Sequence, residues 1–593
     1  MSESIAFREE EHPSSSFLLP SEGRRTKEQL LSSIIFKGEF MSEAEKTVAT
    51  TSSEVKPKKR SWRWRFFRFV VLSFAALVTL FILFHAVENW RGKRAWDQYR
   101  KEQEAKGVSF DFNSIVPPPV PEEKNFAMTP LLKPLYEFNP PDIQPRHRDT
   151  NAIERIPDFY PQPHEASLDL PSLSTWRYGV GSTLKLWQKA IFASTNLQHR
   201  AEMAEPADDV LYALKQFDAQ LDELHQASQT RPLTRYQIEY AHEPKVEILL
   251  PHLTRVKNIE KVLAIRASAY LEKGEVEKAF DDVNLILFVA EPLKDEPIFI
   301  SHLVRKVCFE YGIKVIWLGM VNHKWKPEHL TYWQSRMTEY DFVKDIHHGL
   351  QGERLMGDGT IEFLRRNPHR IDDFTEMFYQ LSQGSGYWVD FEALSSKGWL
   401  CRLIPDGWFY MERVNYNQAF DRYLLTPAAK EKTTVDVKSV MDADGEFSRF
   451  LGGKNPIKHV TGHTVIVKNL MPALTMFFQK AVHAQSTFDL ALVAMALEKY
   501  HLKHQDYPET LSVLVPDFAP SLPLDILSKA PFKYERQSKD AFRLWSLGWN
   551  LKDDGGVIVR NSKAPDATIK WEEGDWTWPQ VEKALKTKEG GFE

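Results

Sequence analysis

The sequence predicts a mainly α-helical protein with one transmembrane helix, a Pro-rich linker, an irregular all-α domain and a small α+β module at the C-terminus. Three observations lead there. Residues 69–87 form an apolar run of nineteen positions without an acid or a permanent base. Apolar residues recur at three- and four-residue steps from about 176 to 400, the period of a helix with one buried face. Past His501, alternating Phe542, Leu544 and Ser546 read as a strand, with turns at Gly548 and Asp553–Gly556.

Residues 1–60 are rich in Ser, Glu and Lys and carry little periodicity, so a disordered cytoplasmic tail is expected. Within it Met41-Ser-Glu-Ala-Glu resembles a second N-terminus. Residues 61–90 hold the signal-anchor. At about 1.5 Å per residue the apolar run covers roughly 28 Å, close to the hydrocarbon thickness of a bilayer. Trp62 and Trp64 precede it and Trp90 and Trp96 follow it, where indoles favour the two interfaces. The run is too long and too far from the N-terminus for a secretory signal, and no small-residue cleavage site follows. Seven bases between Lys56 and Arg68 stand against six between Arg91 and Lys106, and the leading cluster lies closer to the apolar edge. The bias favours a cell-membrane protein with its N-terminus inside and its C-terminal domain periplasmic or extracytoplasmic.

Residues 91–171 read as a helical extension and then a linker. Thirteen of the chain's 35 prolines fall between Pro117 and Pro171, and Val116-Pro-Pro-Pro-Val-Pro121 favours extended polyproline geometry. Phe126, Leu131, Leu132, Leu135, Tyr136 and Phe138 are too apolar for a solvated tether, so part of the linker is expected to dock. Residues 172–430 form the predicted α-helical domain. Leu211, Leu214, Phe217, Leu221 and Leu224 mark one helical face, and the run Ile298–Val321, broken by Arg305, Lys306, Glu310 and Lys314, reads as a buried helix rather than a second span. In residues 262–292 small residues, Tyr270 and the turn glycine Gly274 resemble a single tetratricopeptide helix pair. Only one copy is evident, which suits an isolated hairpin better than a peptide-binding array. Residues 431–470 read as an irregular connection, and residues 471–593 as a long helix from about 473 into His501, followed by the α+β module.

Composition is that of a globular chain, with 42% apolar and 26% charged residues. A net charge of −5, without a basic stripe interleaved with aromatics, gives no reason to expect nucleic acid as a partner. Two cysteines, Cys308 and Cys401, exclude a disulfide scaffold and a cysteine zinc cage. The sequence contains no Gly-x-Ser-x-Gly, phosphate-binding loop or dinucleotide fingerprint.

Three constellations could carry chemistry. Asp345-Ile-His347-His348 with Glu353 is a tight group of metal-capable side chains, but His347 and His348 diverge by about 100° on a helix. His459 and His463 are four apart with Gly462 between them. Asp553-Asp554-Gly555-Gly556 offers two carboxylates and flexible backbone, with Asp566 and Asp575 near enough in sequence to complete an oxygen cage for calcium. The same four residues suit an ordinary turn between strands, which needs only φ > 0 at the glycines.

The C-terminal stretch reads Glu498-Lys-Tyr500, Tyr507-Pro508-Glu-Thr-Leu511, Leu522-Pro523-Leu-Asp525, Trp545-Ser546-Leu-Gly548-Trp-Asn550, Asp553-Asp554-Gly555-Gly556 and Gly574-Asp575-Trp576. With Asn125-Phe126-Ala127 and the helical core, it resembles an uncharacterised family of bacterial single-pass membrane proteins, which implies an envelope protein and no established activity. The last hundred residues are distantly similar to the C-terminal module of type II secretion major pseudopilins, and that likeness also points to calcium in the Asp553 loop. Ile526 and Lys529 depart from that pattern, and no prepilin processing signature precedes the membrane helix. The expected function is that of a membrane-anchored scaffold or partner-binding protein. The partners expected are the bilayer through residues 69–87 and another protein, and no cofactor is expected beyond the calcium alternative. A membrane-tethered hydrolase using His347, His348 or Glu353 is the rival.

Overall fold

The computed structural model describes residues 62–139, 146–162, 176–177, 184–371, 403–428, 435–451, 475–560 and 569–580, with 430, 433, 459, 461–465, 467 and 471 besides. The chain divides into two compact units, one ending at Phe84 and the other beginning at His85. Met41, Cys401 and Asp566 lie outside the described residues.

Helix α1 spans Trp62–Glu104. In the first unit Phe66, Phe69, Leu72, Phe74, Leu77, Leu80 and Phe84 are all exposed. Among the described residues α1 alone is long and apolar enough to cross a membrane. In the second unit the same helix changes character. Gly92, Trp96 and Tyr99 recur at steps of four and three and are buried. Trp96 meets Phe110 edge to face at 5.3 Å and carries the Arg413 guanidinium over its ring at 3.8 Å. The Tyr99 hydroxyl donates to Asp421 at 2.9 Å. Beyond this helix, Phe126, Leu131, Leu132 and Leu135 of the Pro-rich segment are buried in the main core. Asn125 anchors the segment by accepting from the Arg235 amide and donating to its carbonyl, both at 2.9 Å.

The body is helical. After α2 (Thr150–Glu154), α3 (Leu184–Phe192), α4 (Pro206–Leu214) and α5 (Asp218–Thr230) come α6 (Pro251–Lys273) and α7 (Val276–Ala290). Helices α6 and α7 form a hairpin whose turn is Gly274, at φ 77°, where its amide bonds the Leu271 carbonyl. Helix α8 (Phe299–Val321) is buried along most of its length, and its Cys308 lies in the core. Arg305 on α8 is compensated by Asp345 at 2.8 Å and Glu291 at 2.9 Å, the pairing a buried guanidinium requires. Helices α9 (Pro327–Met337), α10 (Phe342–Arg366) and α11 (Asp406–Phe420) follow.

Residues 431–470, expected as an irregular connection, contain helix α12 (Val437–Leu451). Val437, Val440 and Phe447 fall on one face and bury in a second core with α10 and α11. Gly445 of this helix sits where a Cβ would meet nothing within 4 Å. The expected long helix is α13 (Thr475–His504). Residues 481–498 are buried on every face, because α13 runs through both cores: Phe478, Ala481 and Val482 in the second, Phe488 to Leu497 in the main one.

The C-terminal module closes the chain. Strands β1 (Lys533–Ser538), β2 (Ala541–Ser546) and β5 (Trp576–Thr577) make an antiparallel sheet in the order β1-β2-β5, with Tyr534 opposite Leu544 and Ser546 opposite Trp576. Strands β3 (Ile558–Arg560) and β4 (Ile569–Gly574) form a two-stranded ribbon. Trp578 packs into the main core and Trp576 into the second, so the module shares both.

Candidate functional site

The Asp553 loop links β2 to β3. Gly555 and Gly556 take left-handed φ values of 71° and 77°, the conformation that an Asp-Asp-Gly-Gly turn uses. Asp553 Oδ1 accepts from the Trp545 indole at 3.0 Å and the Gly555 amide at 3.2 Å, and Oδ2 lies 3.2 Å from Lys533 Nζ. The indole hydrogen bond, more than any other contact, holds the carboxyl of Asp553 below its usual range. Asp554 accepts from the Asn550 side chain at 2.8 Å. Asp575 is buried and accepts from the Gly556 amide at 2.6 Å, and burial raises its pKa. Asp553 and Asp554 thus spend oxygens on loop, indole and lysine donors, whereas Asp575 Oδ1 is buried with no hydrogen-bond partner.

On α10 the side chains at 345–353 face different neighbours. Asp345 pairs with Arg305, yet burial lifts its pKa to about 6. His348 Nε2 lies 3.4 Å from the Asp295 carbonyl. His347 is held below its ordinary pKa by burial and by Lys430. Glu353 accepts from the Phe299 amide at the start of α8, and burial pushes its pKa up to about 7. His459 bonds Thr464 at 3.0 Å, while His463 bonds Glu88 at 3.2 Å.

A different group converges. Among the described residues, the three whose donor atoms all lie within 4.8 Å of one another are His323, Glu498 and His501. Glu498 and His501 are three apart on α13, so they share one face near its C-terminal end. His323 follows the C-cap of α8 in the left-handed region at φ 49°, fixed by its amide to Met320 at 3.0 Å and by the next amide to Gly319 at 2.8 Å. This conformation is uncommon for a residue with a Cβ, and here it turns the chain beside α13. His323 Nδ1 lies 2.9 Å from Glu498 Oε1 and 3.2 Å from Oε2, and that hydrogen bond raises the histidine's pKa.

His501 stacks between His323 and Tyr507, with ring centroids 4.5 and 4.6 Å away. It is buried, and neither ring nitrogen has a hydrogen-bond partner. Asp540, in the turn between β1 and β2, places Oδ1 3.6 Å from His501 Nε2. Tyr507 OH lies 3.5 Å from Glu498 Oε2. The cluster therefore sits where the α8–α9 turn, the end of α13 and the β1–β2 hairpin meet. Sequence reading passed over it, although a Glu and a His three apart near a helix end is a visible signal. His323, 175 residues before Glu498, left none.

Comparison of the chain with models of known protein families, with curated proteins and with solved structures finds no match.

Proposed function

We propose that the chain is a membrane-anchored envelope scaffold that binds a protein partner through its C-terminal module. The observation that carries this reading is the wholly exposed apolar surface of residues 66–84, which is costly in water and stable in a hydrocarbon core. The bases before it favour a cytoplasmic tail and an extracytoplasmic body. The partner surface is a cleft of about 400 Å³ lined by Arg543, Trp545, Ile558, Arg560, Trp578 and Gln580. Arginine and tryptophan are the side chains that most often anchor protein interfaces. Arg543 lies 3.2 Å from Glu535, an exposed pair weak enough to exchange for a partner's carboxylate.

A photo-crosslinking residue at Gln537, on the rim of this cleft, tests the reading in native membranes. One adduct of defined mass is expected, lost on Arg543→Glu. Absence of an adduct from the cleft, or release of the full chain by alkaline carbonate, would count against it.

A further inference from the structure

We propose that His323, Glu498 and His501 form a centre for one divalent transition-metal ion of the zinc class, with Asp540 as its fourth ligand. The inference is independent of the scaffold reading.

Four observations support it. The donor types are two imidazoles and two carboxylates, which suit zinc and its neighbours, whereas calcium and magnesium take oxygen sets. The three inner donors already lie within 4.8 Å of one another. A tetrahedral ion at about 2.0–2.2 Å from each donor sets them about 3.3–3.6 Å apart, so closure needs shifts of about 1 Å. The His323 and His501 rings are stacked 14° from parallel with centroids 4.5 Å apart, so an ion lying in the plane of both also requires one ring to rotate out of the stack as it binds. Both nitrogens of buried His501 lack a hydrogen bond, an expensive state for a polar ring that a metal bond would relieve at one of them. Tyr507, 3.5 Å from Glu498, stands where an outer hydrogen bond orients a ligating carboxylate.

Position suggests what the ion would do. Its ligands come from the α8–α9 turn, α13 and the β1–β2 hairpin, so it would fasten the C-terminal module to the helical body. His323 and Asp540 are exposed, which leaves an entry path from solvent.

The test uses the purified full chain in detergent, stripped with a chelator and titrated with zinc against a chromophoric competitor. His323→Asn is the informative variant, because asparagine tolerates the left-handed backbone and the side chain it replaces is exposed. The wild type should take up one equivalent that His323→Asn binds more than about tenfold more weakly, since even outer-shell partners are worth about 10–100-fold in affinity. Cobalt in place of zinc should give visible d–d absorption in the wild type and not in the variant. Glu498→Gln should behave like His323→Asn. Absence of a stoichiometric equivalent in the wild type, or equal zinc affinity and an equal cobalt spectrum in His323→Asn, would overturn the proposal and leave a hydrogen-bonded cluster.

Discussion

Glu353 is a residue at which burial and solvent pH are directly opposed. Its carboxyl is raised from about 4.5 to about 7 by burial, with the Phe299 amide only partly offsetting the loss of water. A carboxyl with a folded pKa above its unfolded value binds its proton more tightly in the folded state. Its contribution is therefore fully present below about pH 4 and is lost as pH rises through 7. Glutamine keeps an acceptor for the Phe299 amide and carries no titrating proton. Glu353→Gln should match the wild type near pH 4 and be more stable at pH 8, by on the order of 1–3 kcal/mol in urea unfolding. A variant less stable than the wild type at pH 8 would show that the carboxylate is better solvated than its surroundings imply. Glu353 stood out in the sequence for its neighbours His347 and His348, but its setting comes from α8, a contact that local spacing does not encode.

Among the elements, α1 and α12 show what hydrophobic patterning conveys and where it stops. The apolar run of α1 was legible because nineteen residues of one kind need no partner to be recognised. Its continuation past Arg91 reads as polar, since the charges hide a narrow stripe of Gly92, Trp96 and Tyr99. That stripe works through a close backbone approach: a Cβ on Gly92 would stand 2.1 Å from the Gly407 carbonyl oxygen of α11. Asn89 Oδ1 also accepts from the Gly407 amide at 2.8 Å. Gly92→Ala must push α1 and α11 apart and should cost about 1–3 kcal/mol or more, as overpacking does. Gly445 in α12 is the counterpart. Nothing lies within 4 Å of its missing Cβ, and Gly445→Ala should stabilise by up to about 1 kcal/mol through helix propensity. Thermal melts of the two variants should therefore move in opposite directions. A pair of melts shifted the same way would mean that local conformation, not contact, governs both sites.

Over the whole molecule, the order of segments was legible: a long apolar helix, a Pro-rich stretch, helices, then a small sheet. Their interdependence was not, because it rests on contacts between distant positions, such as Trp317 donating to the Pro579 carbonyl at 2.8 Å. One consequence concerns where the chain can be shortened. Removal of residues 1–84 takes away the exposed apolar surface and leaves Trp96 and Tyr99 in place. Removal of residues 1–108 also strips those two rings and leaves Arg413 without its aromatic partner. The first truncation should be soluble without detergent and mainly helical by circular dichroism. The second should melt at a lower temperature or aggregate. Equal melting of the two would show that the helix past residue 85 adds nothing to the fold.

Helix α13 also sets a clock. It runs through both cores, yet its last residue, His504, is made 420 residues after Phe84. Ribosomes add about 5–20 residues per second, so roughly 20–80 s separate the two events. Helices α3 to α10 are made within that interval, and from then on their apolar faces wait without the helix that covers them. The nascent chain thus passes through a long, unfinished stage in which holding it apart from its neighbours matters as much as the stability it finally attains.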